Sequence, residues 1–306
     1  MNVVEDGFQV RHEQGFAVYV LRNAQVEAAV VPDLGGRIIS LKHVQTGREW
    51  LWHPAGGLKL FRNRPGDDFA RSPLAGIDEC LPTVAPCSWQ GRQLPDHGEV
   101  WTASWEVDRG AWERGVLKTR VELPVSPFVY HRTIELKENE LRLSYRLDNR
   151  GNVEEKYLWT MHPLLQLRAD DRLELPASTR ALMNEETWID AVDSAVPHGG
   201  CAKVFGRPLS EGVARIVNRK TGDCLGLEWN PDENNTLGLW LTRGGWHGHD
   251  HFALEPTNGD DDALTVAADR GRCGTVPASG AATWQITFQV GPRIDVQFPS
   301  AHDFAR

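Results

Sequence analysis

No window of a dozen residues holds a clean 3.6-residue apolar stripe through several turns, and 29 glycines with 18 prolines interrupt every candidate. Glycine is costly inside a helix and proline removes a backbone donor there, so helices cannot carry this fold. Strand signals take their place. Gly15-Phe16-Ala17-Val18-Tyr19-Val20-Leu21 and Ala24-Gln25-Val26-Glu27-Ala28-Ala29-Val30-Val31 read as strands, separated by the turn-capable pair Arg22-Asn23. After a turn at Pro32-Asp33-Leu34-Gly35-Gly36, residues 37–41 resume the pattern, and residues 115–123, 128–136, 141–147 and 283–288 repeat it. Residues 137–140 and 148–152 are polar breaks of hairpin type. Residues 55–74, rich in Gly, Arg, Asp and Pro, read as a long loop over a pocket mouth. With no repeat of fixed period and no low-complexity junction, the expectation is one all-β antiparallel unit spanning 1–306.

Composition narrows the function classes. A formal net charge of -9, with no arginine-rich tail or lysine stripe, argues against nucleic acid as a partner. No apolar run approaches a membrane span, and Met1-Asn2-Val3-Val4-Glu5-Asp6 lacks the basic-then-apolar order of a signal peptide. Five cysteines without a close metal-binding pair fit reduced thiols and a cytoplasmic location. Cys80 and Cys87 flank prolines and read as packing thiols in preference to a redox pair.

Three separated segments place ionisable groups among Gly and Pro: Gly76-Ile77-Asp78-Glu79-Cys80-Leu81-Pro82 with Asp96-His97-Gly98-Glu99, then Met161-His162-Pro163, then Leu254-Glu255-Pro256-Thr257-Asn258-Gly259. Two histidines and a carboxylate suffice for acid/base work on a neutral substrate, with no cofactor. Asp78 and Glu79 are candidates to bind hydroxyls or to hold His97. Several of the twelve tryptophans (Trp101, Trp105, Trp159, Trp229, Trp240 and Trp246) lie near these motifs, where aromatic faces suit sugar rings as well as core packing.

In their order and spacing these motifs resemble the galactose mutarotase-like superfamily, the aldose 1-epimerases and their relatives. The resemblance begins at Val31-Pro32-Asp33-Leu34-Gly35-Gly36-Arg37-Ile38, passes through the Gly76–Pro82, Asp96–Glu99, Leu147-Asp148-Asn149 and His162-Pro163 motifs, and closes at Leu254-Glu255-Pro256. It implies a β-supersandwich of large twisted antiparallel sheets with a concave sugar-binding cleft, and an isomerase that interconverts the anomers of an aldose or modified sugar. It casts His97 as the first active-site histidine, His162 as the donor of a proton to the ring oxygen, and Glu255 as the general base. It also implies a substrate-binding arginine upstream of His97, for which Arg62, Arg64 and Arg71 stand in the right stretch. Where the commonest pattern has Asn before the second histidine and an aromatic–Phe-Asn run after it, this chain has Thr160-Met161-His162-Pro163-Leu164-Leu165, which places it among divergent members. A base and an acid in opposite protonation states lead to the expectation of a bell-shaped pH profile.

Trp246-His247-Gly248-His249-Asp250-His251 opens other readings. In an extended strand His247, His249 and His251 would share one face, a spacing able to gather a metal ion; in a loop they would not. Trp246 is equally a platform for a sugar ring, and His249 a sugar contact. Carboxylates Glu99, Asp78 and Glu255 could form the acid and base of a glycoside hydrolase, and the same scaffold could serve a lyase or hydrolase of a sugar derivative with a metal held by the 247–251 histidines. A non-catalytic carbohydrate-binding protein is the third possibility, and in all three the partner is a small carbohydrate.

Overall fold

The computed structural model describes residues 7–73, 75–168, 170–176, 179 and 196–292. The hexapeptide at 1–6 and the final residue of the 55–74 stretch lie outside the described residues.

Two large antiparallel sheets, of ten and eight strands among the described residues, form a β-sandwich. The first runs Gly7–Glu13, Phe16–Arg22, Val26–Val31, Arg37–His43, Ile77–Cys80, Thr160–Pro163, His249–Thr257, Thr236–Trp246, Cys201–Gly206, and Arg48–Glu49 also pairs with Arg37–His43. The second runs Asp171–Glu174, Val213–Asn218, Asp223–Trp229, Ala281–Pro292, Glu140–Asn149, Phe128–Lys137, Leu117–Glu122, Glu106–Val107. The polar break at 137–140 is a hairpin, whereas the one at 148–152 is not, since the strand after it, Glu155–Tyr157, pairs with Gly274–Val276 instead of turning back on Glu140–Asn149. Lys137 pairs with Glu140 around a two-residue turn in which Glu138 has positive φ, and the Asn23 side chain accepts from the amides of Gln25 and Val26. Among the described residues, helix is confined to short pieces such as Arg109–Glu113 and Leu264–Asp269.

Period-2 alternation decides which side chains enter the sandwich. Strand Leu117–Glu122 buries Leu117, Thr119 and Val121 and leaves Lys118 and Glu122 exposed. The main core draws on both sheets: Ile38, Ile77, Met161 and Leu254 from the first, and Tyr130, Leu143, Leu227 and Phe288 from the second. Trp105, Trp159 and Trp229 are buried in it, as ordinary packing residues. The opposite, outer face of the first sheet carries its own smaller clusters. One includes Trp52, Phe69, Trp101 and Leu164 with Trp246 against it, and Phe69 comes from the 55–73 loop, which folds back over this face.

Candidate active site

The candidate site lies on that outer face, where register brings distant motifs into one row. Asp78 is the direct partner of His162 across neighbouring strands, so their side chains share a face. Thr160 pairs with Thr257, and continuing that register sets His162 opposite Glu255, whose other neighbour is Gly238. The row Asp78, His162, Glu255, Gly238 thus crosses four strands. Gly238 leaves room for the carboxylate, since a Cβ there would stand 2.8 Å from Glu255 Oε2.

Glu255 is fully buried, with Oε1 3.3 Å from His162 Nε2 and Oε2 3.1 Å from Lys203 Nζ. Neither carboxylate oxygen makes a well-aligned hydrogen bond to the described residues. Burial raises the Glu255 pKa above the ordinary carboxylate value, against the pull of Lys203. His162 is also buried, and its pKa is held well below that of a free imidazole, by desolvation first and by the nearby His97, Lys203 and His251 second. Its Nδ1 has no hydrogen-bond partner among the described residues.

His97 enters from the loop that follows strand Arg92–Leu94. It adopts φ 55, and Gly98 after it adopts φ 74. Gly98 is required twice over, because a Cβ there would lie 2.1 Å from the Leu81 carbonyl oxygen. The His97 ring stacks on Phe69 at 3.8 Å and 7°, meets His162 edge-on at 5.5 Å, and sets Nδ1 2.9 Å from Asp96 Oδ1. Burial works to raise the Asp96 pKa, but its hydrogen bond to His97, the His97 charge and the amides of Phe69 and His97 hold it low.

A cavity of about 180 Å³ opens beside His97 and His162, walled also by Lys203, Asp262 and the aromatic rings of Phe69, Trp240 and Trp246, while the fully buried Glu255 is not among its lining residues. Lys203 and Asp262 are site residues that the sequence does not announce. The lysine sits in a short strand, Cys201–Gly206, and the aspartate in the acidic run Asp260-Asp261-Asp262, and neither pattern signals a site. The pair is joined at 2.6 Å.

Other candidates stand elsewhere. Glu79, next to Asp78 on the same strand, points the other way, into the sandwich, where it pairs with Arg132 Nη1 at 2.8 Å and accepts from the Tyr130 hydroxyl. Glu99 is buried, accepting from the amides of Val125 and Ser126 and from the Ser126 hydroxyl at 2.6 Å, so its carboxylate is committed to a loop. Asp78 Oδ1 is paired with Arg37 Nε at 2.8 Å, and its pKa is raised by burial in spite of that arginine. Of these three carboxylates, Glu99 is thus tied to a loop, while Asp78 and Glu255 flank His162 on one face. Arg64 and Arg71 are exposed on the 55–73 loop, outside the cavity wall, and Arg62 is engaged with Asp33 at 3.2 Å.

The three-histidine strand does not form. Trp246 pairs with His249 across a two-residue turn in which His247 and Gly248 both have positive φ, the condition for a type I′ hairpin. His247 is thereby removed from the face shared by His249 and His251, and among the described residues no group of three or more His, Cys, Asp or Glu side chains is placed to hold a metal ion. His251 lines the cavity and accepts a 3.1 Å hydrogen bond at Nε2 from the Trp240 indole, so its own proton sits on Nδ1. Burial, aided by His249, lowers its pKa to about 3. His249 stands beside it, 5.1 Å from the Trp52 ring.

No protein-family model matches the sequence. No curated protein sequence matches it either. Solved structures do match. The Slr1438 protein from Synechocystis sp. PCC 6803 is 18% identical with a TM-score of 0.68, over 95% of this chain and 100% of that one. A galactose mutarotase-like protein from Clostridium acetobutylicum is 13% identical with a TM-score of 0.69, over 94% and 99% of the two chains. A galactose mutarotase related enzyme from Lactobacillus acidophilus is 13% identical with a TM-score of 0.62, over 91% and 98%. At such identities the likeness is one of fold, and it extends along nearly the whole of each chain.

Proposed function

We propose that this chain, built on the galactose mutarotase-like fold, is a carbohydrate isomerase that interconverts the anomers of an aldose or modified sugar. The observation that carries the reading is the placement of a buried, hydrogen-bond-poor carboxylate, Glu255, 3.3 Å from the imidazole of His162 beside an aromatic-walled cavity. A sugar ring fits such walls, its weakly apolar face against Trp240 or Trp246 and its hydroxyls toward His97 and the polar floor.

The chemistry moves one proton from the C1 hydroxyl to the ring oxygen. Glu255 takes the hydroxyl proton while His162 gives one to the ring oxygen, the bond from C1 to that oxygen breaks, and C1 becomes an aldehyde. The 3.3 Å between the two groups lets the proton gained by the carboxylate make good the one lost by the imidazole, so both return to their starting states. Rotation about the C1–C2 bond and reversal of the steps close the other anomer. Because burial keeps His162 neutral in the free protein, it acts through a neutral N–H. His97, oriented by Asp96 and Phe69, polarises a sugar hydroxyl.

Proton exchange spectroscopy of α and β anomer signals, run over a panel of free and modified aldoses, tests the reading. Accelerated exchange that falls by about 100-fold or more in Glu255→Gln is the expected result, in the range of a lost general base. No acceleration by the wild-type protein across the panel, or full activity in the variant, would overturn it.

A further inference from the structure

Among the described residues Lys203 is the cation nearest the Glu255 carboxylate, and nothing in the acid/base scheme uses it. It projects from strand Cys201–Gly206, whose partner strand Thr236–Trp246 lies between it and the strand of Glu255. Its direct register partner there is Trp240, so the lysine reaches Glu255 diagonally, toward Gly238, the position without a side chain that stands opposite the glutamate. The ammonium group stands 3.1 Å from Glu255 Oε2 and 2.6 Å from Asp262 Oδ1, and its side chain is 17% exposed.

From this geometry we propose that Lys203 is a positioning residue for the general base: it pins Oε2 of Glu255, keeps the carboxylate ionised in its buried setting, and thereby presents Oε1 to His162 and the sugar, while Asp262 holds the ammonium group in place. The proposal rests on the isomerase reading for its consequence in turnover, but not for the interaction itself. A covalent role for the amine is disfavoured. Two carboxylates against it raise its proton affinity beyond that of a free lysine despite burial, so it is a cation and not a nucleophile.

The charged and titratable groups that face Glu255 have opposing effects, which gives the test its signs. Lys203 and His97 favour the carboxylate, whereas Asp262 disfavours it, and burial disfavours it most. His162 touches it from the neighbouring strand, and the buried Cys80 thiol feels its charge from the strand beyond. Removing Lys203 must therefore raise the pH at which Glu255 ionises.

The experiment is a carbon-13 NMR titration of the full chain carrying labelled glutamate carboxyls, with Glu255→Gln assigning the signal. Lys203→Met is expected to move the Glu255 midpoint up by about one pH unit or more, a tenfold change in proton affinity. Lys203→Arg retains most of the wild-type midpoint. In the exchange assay the acid limb of kcat/KM follows the same order. An unchanged Glu255 midpoint in a folded Lys203→Met protein overturns the proposal; should that variant fail to fold, an unmoved midpoint in folded Lys203→Gln does so. Midpoints that shift as expected in a protein without anomer exchange would sink the isomerase reading and leave the Lys203–Glu255 coupling standing. Exchange activity with unmoved midpoints would do the reverse.

Discussion

At the scale of single residues, what matters is that burial acts on an acid and a base in opposite directions. It pushes the Glu255 carboxyl up and the His162 imidazole down, since both charged forms lose solvation. This alters the bell-shaped profile expected from the sequence. The carboxylate form of Glu255 is lost as pH falls through a value above the ordinary 4.5, giving an acid limb. His162 is already neutral far below its ordinary 6.5, so deprotonation of that imidazolium creates no alkaline limb near neutrality. In the free enzyme, kcat/KM for anomer exchange should rise from the acid side and then level through neutral pH. His162→Gln should lower the plateau by about 100-fold or more without moving the acid limb to a lower pH. An alkaline limb near pH 6.5 that disappears in His162→Gln would show instead that the imidazolium is the acid. Sequence motifs place a histidine and a glutamate in such a scheme, but their protonation states follow from burial, which one-dimensional spacing does not contain.

At the scale of elements, a single turn and a single glycine decide what the strands Thr236–Trp246 and His249–Thr257 can do. The alternating His247, His249, His251 pattern is readable as a metal face or as a loop; positive φ at His247 and Gly248 makes it a hairpin tip. The strands themselves are legible, because β-branched and aromatic runs between polar breaks bury well on a pleat. Gly238 is not, for its importance lies in facing Glu255 on the next strand. Alanine at 238 should be tolerated by the strand, since a Cβ in extended backbone costs nothing conformationally. Its methyl would meet Glu255 Oε2 at 2.8 Å and Cβ at 3.2 Å and displace the carboxylate. Gly238→Ala should therefore cut anomer exchange by about 10- to 100-fold, the scale of a roughly 1 Å misplacement, while urea midpoints stay close to wild type. Activity within a factor of two of wild type, in a normally folded variant, would show that the carboxylate position is not critical.

At the scale of the whole molecule, the sandwich keeps its two faces chemically distinct, and the motif Ile77-Asp78-Glu79-Cys80 supplies both. Adjacent acids on one strand must point to opposite faces, yet the sequence cannot say which face is which when every residue of the strand is buried. Asp78 goes to the site face with His162; Glu79 goes inside, where the partner sheet supplies Arg132 and Tyr130. It bridges the sheets through polar groups, as do His43 with Asp223 at 2.6 Å and Arg48 with Asp171 at 2.6 Å. Such pairs add little over well-packed apolar groups, but breaking one leaves a buried charge without its partner. Glu79→Ala should strand Arg132, which is fully buried, and cost about 3–5 kcal/mol in urea unfolding. Whatever fraction folds should retain anomer exchange, because Glu79 reaches the site through neither the cavity wall nor a hydrogen bond to His162 or Glu255. A sugar-binding role for Glu79 demands the opposite outcome, a raised KM at nearly unchanged stability, so the two measurements together assign this carboxylate to the interior or to the substrate.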